Sequence, residues 1–380
     1  MSDKISFKNA RIVLPGEMVS GSVSLTHGLI SDVSAGPSLA SDAIDVEGDY
    51  LVPGIVDLHT DNLERHLSPR PGVRWDVQLA LLAHDALVVA GGITTVLDAL
   101  CVGSTVRKPE RNKLLEPSVT GISAAKNNGL LRADHFLHLR CETTDRDVLQ
   151  YFSGSIDSPL VKLISIMDHA PGHRQAADLV KFRREQFADY GLTAENLDRQ
   201  IDEWRAASEE LGPRHRRFIA EHALRRQLVT ASHDDETVEH VAEAKTLGVS
   251  ISEFPTTLRA AQAARAAGMS ILMGGPNVVR GGSHSGNVSA VELAREGLLD
   301  ILASDYVPGS LLSAAFQLVD TIGLDLPAAV RIISTNPATA LGLHDRGAIE
   351  AGRRGDLIRV AIADGKPIVR GVWCQGRQVY

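Results

Sequence analysis

Six residues have the chemistry to hold metal ions together: His59, Asp61, Glu142, His169, His233 and Asp305. Imidazole nitrogens and carboxylate oxygens are the usual protein ligands of Zn²⁺ and similar divalent cations. His59 and Asp61 stand in Leu51-Val52-Pro53-Gly54-Ile55-Val56-Asp57-Leu58-His59-Thr60-Asp61-Asn62. There a Pro-Gly turn precedes an apolar run too short for a helix, so the segment reads as a buried strand. Strand side chains two apart share a face at a spacing of about 7 Å, which groups Asp57, His59 and Asp61. A single His-x-Asp at a strand end is common, but later strand ends repeat the pattern. His138, Arg140 and Glu142 share a face, Met167-Asp168-His169 precedes the turn Pro171-Gly172, and Ser232-His233-Asp234-Asp235 and Ser304-Asp305-Tyr306 follow.

Six such ligands exceed the needs of one tetrahedral ion. They suit two ions with a bridging carboxylate, an arrangement that activates a water and clamps both sides of a displacement. Glu142 is the expected bridge, and Glu253 is a reserve ligand.

These residues must be brought to one place. Eight buried strands are expected, at Ile55 to His59, Thr94 to Leu100, His135 to Arg140, Val161 to Met167, Leu228 to Ala231, Val249 to Glu253, Ser270 to Met273 and Ile301 to Ala303. Helical stretches such as Trp75 to Val89 and Ala260 to Ala267 separate most of them. This alternation predicts an α/β protein built as a (β/α)8 barrel, whose strand C-termini meet at one rim. An open doubly wound sheet would want a Gly-x-Gly-x-x-Gly turn after its first strand, and none is present. Residues 1–52 and 346–380 carry short alternating runs instead, and predict a small split β-sandwich flanking a barrel over 53–345. The charged stretch 176–226 is a helical insertion, read as an enlarged outer ring or as a lid or subunit contact.

Two stretches bear on substrate. Residues 62–76 carry Arg65, His66, Arg70 and Arg74 just beyond the first strand, either as surface charge or as contacts to a polyanion. Residues 274–289 form a Gly-rich loop with Asn277, Arg280, Ser283, His284 and Asn287, leading into a helix at Ala290. Free amides and a helix N-terminus would make that loop a phosphate cradle; the alternative is a structural loop.

The composition is that of a soluble globular enzyme, 44% hydrophobic and 23% charged. No apolar run approaches the roughly 18 residues that span a membrane, and the Met-Ser-Asp-Lys start has no signal-peptide pattern, so a cytoplasmic protein is expected. The net charge of −8 argues against general nucleic-acid binding. Cys101, Cys141 and Cys374 are odd in number and widely separated, which predicts no disulfide framework.

The opening Leu-Val-Pro-Gly-Ile-Val-Asp-Leu-His resembles that of the amidohydrolase superfamily, with Asp61 where the second histidine of His-x-His usually stands. Gly352-Arg353-Arg354-Gly355-Asp356-Leu357 resembles its Gly-x-x-Ala-Asp-Leu ending, with Gly355 in place of Ala. His59-Thr60-Asp61-Asn62-Leu63-Glu64-Arg65-His66, Met167-Asp168-His169-Ala170-Pro171-Gly172 and Pro276-Asn277-Val278-Val279-Arg280-Gly281-Gly282-Ser283-His284-Ser285-Gly286-Asn287 are similar to its phosphonate-metabolism branch.

The resemblance implies a diphosphatase that releases pyrophosphate from the 5-triphosphate of a ribose 1-methylphosphonate, upstream of carbon–phosphorus bond cleavage. It implies two divalent ions, Zn²⁺ first, with Mn²⁺ or Fe²⁺ tolerated because Asp61 adds an anionic oxygen. Asp305 would take and return the proton. The expected partner is the phosphorylated ribose phosphonate, with no nucleic acid and no membrane, and with homo-oligomerisation left open. Some amidohydrolases use a carbamylated lysine, for which Lys162 would be the candidate, but its strand parity is opposite to that of His169. The alternative is a hydrolase of cyclic amides or N-acyl substrates, which needs no arginine-rich loop. A non-catalytic scaffold would be expected to have lost the ligands.

Overall fold

The computed structural model describes residues 4–36, 41–70, 72–104, 111–172, 174, 194–283 and 286–380. Eight parallel strands form its centre: Ile55–Thr60, Ile93–Val102, Asp134–Glu142, Val161–Met167, Val229–His233, Ile251–Glu253, Ser270–Gly274 and Ile301–Ala303. They are hydrogen-bonded in chain order, and all eight coincide with strands expected from the apolar runs. The eighth returns to the first through a bridge between Thr60 and Asp305. There the Asp305 N–H donates to His59 O at 2.9 Å and the Asp61 N–H to Asp305 O at 2.8 Å. The barrel is thus fastened at its rim, among the residues expected to do the chemistry.

Val56, Leu58, Leu97, Leu163, Ala231, Ile251, Leu272 and Ile301 pack into one buried cluster along the strands. Val96, Leu137, Leu139, Ile164 and Leu302 pack with helices such as Val77–Ala90 and Ser310–Ile322. Each such aliphatic side chain contributes roughly 1.5–3 kcal/mol by leaving water. Several helices start where a capping side chain takes the amide three residues on: Asp76 from Leu79, Thr237 from His240, Thr257 from Ala260 and Asp325 from Ala328. No helix among the described residues is long and apolar enough to cross a membrane.

The chain ends build one mixed sheet, in the order Arg377–Gln378, Lys366–Cys374, Leu357–Ala363, Tyr50–Pro53, Lys4–Val13, Met18–Thr26, Leu29–Ala35, with Ile44–Asp45 beside Lys4–Val13. Phe7 and Trp373 lie three strands apart along this path, which a flat sheet would separate by about 14 Å. Their rings meet edge-on at 4.7 Å. The sheet therefore folds over its own core of Phe7, Ile12, Val23, Leu25, Ile30, Leu51, Leu357 and Trp373. The passage into the barrel is Gly54, where a Cβ would come within 2.2 Å of Thr94 Oγ1, so no larger residue fits the crossing.

The alternation expected in the first strand is broken. Asp57 pairs with Val96 and Thr60 with Asp98, so three residues on one strand span two on the other. This bulge puts Leu58 and His59 in the interval and ends the strict two-residue period. Asp57 therefore does not share the face of His59; its carboxylate accepts the Ser304 N–H at 3.0 Å instead.

A buried polar network joins helix Val77–Ala90 to the second and third strands. His135 Nδ1–H donates to Asp98 at 2.8 Å, its Nε2–H points at Asp85 at 3.3 Å, and His84 Nε2–H donates to Asp98 at 2.7 Å. His84 Nδ1 accepts the Asn62 amide at 2.9 Å, which ties the network to the loop after the first strand. Burial alone would lower the His135 pKa, but the Asp98 charge outweighs it and lifts it to about 9. A pKa raised on folding contributes stability that is complete below the ordinary value of 6.5 and lost as pH rises through about 9. Asp98→Asn is expected to cost about 3–5 kcal/mol, as removal of one partner of a buried pair does. Urea denaturation from pH 6 to 9.5 should show the wild-type midpoint falling across that window and the variant's falling less. Equal midpoints and equal slopes would refute the pairing.

The inserted stretch continues outside the described residues as far as 193. Its described part is the helices Ala194–Glu210 and Gly212–Arg225. The second packs as an outer-ring helix through Ile219, Ala220 and Ala223. The first reaches the end of the fourth strand, with Ser208 Oγ donating to Asp168 at 2.5 Å.

Candidate metal centre

The centre is built on Glu253, the last residue of the sixth strand, whose exposure is 0%. Its carboxylate accepts His59 Nδ1–H at 2.7 Å through one oxygen and His233 Nδ1–H at 2.7 Å through the other. With both Nδ1 protons taken, the two Nε2 atoms are left for ligation, a standard service of an outer carboxylate to metal-binding histidines. The two rings stack at 6.2 Å, and Phe254 stands edge-on to both at 5.1 and 5.5 Å. Burial opposes charge on His59, but Glu253 prevails and raises it to about 10. Metal binding there must therefore displace a proton.

Two ligand groups follow. His59, Asp61 and Asp305 bring one ligand atom each within 4.8 Å of the others, and so do His169, His233 and Asp234. In the second group Asp234 Oδ2 lies 3.3 Å from His233 Nε2 and 3.8 Å from His169 Nε2. Among the described residues this oxygen is buried with no hydrogen-bond donor. An orphaned anionic oxygen beside two imidazole nitrogens is costly unless a cation completes it, so the donor set fits a divalent ion.

Glu142 has a different place from the one expected. It accepts His169 Nδ1–H at 2.6 Å, the His169 N–H at 3.2 Å and Thr144 Oγ–H at 2.6 Å. Both of its oxygens are engaged in orienting His169, as Glu253 orients the other two rings, so the geometry makes it a positioning carboxylate rather than a bridge. Asp61 is also partly engaged, accepting Arg140 Nη1–H at 2.6 Å with Arg111 Nη2 at 3.7 Å. Burial pushes its pKa up, but Arg140 holds it well below the usual carboxylate range. Lys162 extends over the Phe136 ring at 5.5 Å and takes no part in either ligand group.

Three of the strand ends carry a residue in the left-handed region: Asp234 at φ 56°, Phe254 at 55° and Asp305 at 54°. Such backbone is strained for non-glycine residues and costs of order 1–3 kcal/mol each. It turns the three side chains where a continuing strand would not.

The expected substrate residues scatter along the rim. Arg65 is exposed and donates to Tyr306 O at 3.1 Å, next to Asp305. His66 is half-buried with its ring 6.1 Å from His84, and burial lowers its pKa. Arg70, Arg74 and Arg280 are exposed, and Arg74 donates to Ser68 Oγ at 2.9 Å. Ser283 and Asn287 are half-buried, while His284 lies outside the described residues.

The stretch expected as a Gly-rich loop is in part regular, since Gly274 ends the seventh strand and Gly275–Val279 is a short helix; it touches the centre, where a Cβ on Gly274 would sit 3.8 Å from Asp305 Oδ2. Its cradle is weaker than expected. Asn277 Oδ1 accepts the Ala290 N–H at 3.0 Å and Ser289 Oγ accepts the Glu292 N–H at 3.0 Å, so helix Ala290–Arg295 spends those amides internally.

Known proteins bear on this arrangement at three levels. The profile described as Amidohydrolase family matches residues 166–380. The alpha-D-ribose 1-methylphosphonate 5-triphosphate diphosphatase of Escherichia coli (strain K12) is 45% identical over 374 residues, covering 98% of this chain and 99% of that protein. Among solved structures, N-acetyl-D-glucosamine-6-phosphate deacetylase of Mycobacterium smegmatis, a D267A mutant, superposes with a TM-score of 0.66 at 16% identity, covering 100% of both chains. The 5-methylcytosine deaminase of Klebsiella pneumoniae superposes with 0.65 at 14%, covering 99% of this chain and 98% of its own. These two share the fold. With the matched profile, the near-complete alignment and the rim of histidines and carboxylates taken together, the chain belongs to the amidohydrolase family.

Proposed function

We propose that the protein is a metal-dependent diphosphatase that hydrolyses α-D-ribose 1-methylphosphonate 5-triphosphate, or a close ribose 1-phosphonate 5-triphosphate, to pyrophosphate and the 5-phosphate. The observation that carries this reading is the 45% identity, end to end, with the Escherichia coli enzyme of that name. The site supports it. His169, His233 and Asp234 would hold one divalent ion and His59, Asp61 and Asp305 a second, with Zn²⁺ favoured and Mn²⁺ or Fe²⁺ tolerated. When bound, such ions supply Lewis acidity toward water and phosphoryl oxygens.

The chain's own groups do the rest. Glu253 and Glu142 orient the histidines, Asp305 accepts the proton of the attacking water and later returns it, and Arg65 at the rim lies where the departing pyrophosphate would leave. A hydrolase of cyclic amides would have no use for such cations. The test offers metal-reconstituted protein a ribose 5-triphosphate and a panel of hydantoins, with pyrophosphate and ring opening followed together. Pyrophosphate release without ring opening is expected; ring opening alone would overturn the reading.

A further inference from the structure

Arg140 lies inside the candidate centre, against the ligand Asp61. It belongs to the third strand, on the same face as His138 and Glu142, and is only 6% exposed. Its Nη1–H donates to Asp61 at 2.6 Å, while among the described residues Nη2 has only His233 Nε2 at 3.5 Å, the outer limit of a hydrogen bond. Its Nε–H is buried with no partner among the described residues. A guanidinium has five N–H donors in a fixed fork and no way to discharge itself, so buried donors without acceptors call for a ligand. An ion on His233 Nε2 would take the lone pair that Nη2 now faces, which frees that donor as well.

A second guanidinium approaches the same carboxylate. Arg111, in the turn Arg111–Leu114 after the second strand, is held by Glu64 at 2.5 Å and has Nη2 3.7 Å from Asp61 Oδ2. Two largely buried arginines thus flank Asp61 at the edge of the ligand group His59, Asp61 and Asp305. Arg140 also feels the charges of Asp61, Glu253 and Asp305, which hold it well above its ordinary pKa against the effect of burial. Arg70, Arg74 and Arg280 are exposed, where water and salt weaken each contact.

We propose that Arg140 and Arg111 form the polyphosphate-binding pair of this site, with the free Nε–H and Nη2–H of Arg140 donating to non-bridging phosphate oxygens. Forked donors match phosphate oxygens, of which a triphosphate offers several on adjacent phosphorus atoms, whereas a cyclic amide offers one carbonyl. The assignment rests on the diphosphatase reading and specifies where that substrate's charge is met.

The test uses metal-loaded protein and inorganic tripolyphosphate as the calorimetric probe, with metal content and thermal stability measured in parallel. Arg140→Lys keeps the charge but removes the fork, and Arg111→Gln removes a cation from a less enclosed position. Each is expected to weaken tripolyphosphate binding about 10- to 150-fold, the equivalent of one charge-assisted contact, at wild-type metal content. KM for a ribose 5-triphosphate should rise with it. Normal tripolyphosphate affinity in either variant, or a wild type that does not bind tripolyphosphate, would overturn the assignment. Loss of metal in Arg140→Lys with normal binding in Arg111→Gln would also overturn it, because the pair would then only hold Asp61. A wild type that binds tripolyphosphate but never cleaves a 5-triphosphate would sink the diphosphatase reading instead.

Discussion

Asp305→Asn is expected to lower turnover about 100-fold or more while leaving the fold intact, the scale on which a positioned general base acts. The position is held by backbone rather than by its side chain. Its N–H donates to His59 O, and its carbonyl accepts the Asp61 N–H and the Thr60 hydroxyl at 3.2 Å. Asparagine tolerates the left-handed φ of 54°, so these bonds survive the change. The carboxylate does not. Burial pushes the Asp305 pKa up to about 6, with His59 pulling it down and Asp61 pushing it further up, so it is poised to exchange a proton near neutrality.

A base must be deprotonated to act, so kcat/KM should fall as pH drops below this value. Bound cations lower it further, which places the acid limb at or below about pH 6 in the wild type, with no such limb in the variant. The measurement is a pH profile of kcat/KM for both proteins, with metal content followed by elemental analysis. A loss of less than tenfold with the limb still present would assign the proton transfer to another group.

The elements and the ligands were not equally legible in the chain. Runs such as Ile93–Val102 and Val161–Met167 are mostly apolar because both faces of a barrel strand are covered, and they are bounded by turns, so all eight strands could be placed from sequence. His59, His169 and His233 were visible as histidines at strand ends. Asp234 was not, because alternation sends the residue after His233 to the opposite face, and only its left-handed backbone brings it back. Nor was the separation of Asp57 from His59, since one extra residue in a strand leaves no mark in composition.

Arg140 could be placed on the inner face by parity, but that its Nε–H finds no partner among the described residues is a property of packing. Arg111 reaches the site from a loop, where periodicity carries no information. The reversal of role between Glu142 and a ligand depends on which ring nitrogen each carboxylate takes, which residue spacing cannot specify. The same holds for Glu253, which parity put at the rim but could not tell from a ligand.

Glu253→Gln should therefore be the most damaging change to metal binding that leaves every proposed ligand in place. The carboxylate accepts one Nδ1–H on each oxygen, at 2.7 Å from His59 and 2.7 Å from His233. A glutamine amide has one accepting oxygen and one donating nitrogen. It can serve one ring as before, but it presents N–H groups to the other, which must then accept through Nδ1 and carry its proton on Nε2. A protonated Nε2 cannot ligate, so one of the two groups loses its histidine without any mutation of that residue. The loss of negative charge acts on both rings together, since Glu253 is the attraction that raises His59 against burial.

Removing an outer carboxylate from one histidine typically costs 10- to 100-fold in metal affinity, so serving two rings sets the expected range at about 10²- to 10⁴-fold for full occupancy. Glu142→Gln, which touches only His169, should cost about 10- to 100-fold and affect one ion. Competition against a chelator of known affinity measures both variants, with two ions per chain expected at saturation in the wild type. If Glu253→Gln holds both ions as tightly as the wild type, the shared carboxylate is only filling space between the rings, and the histidines must be oriented by their packing against Phe254.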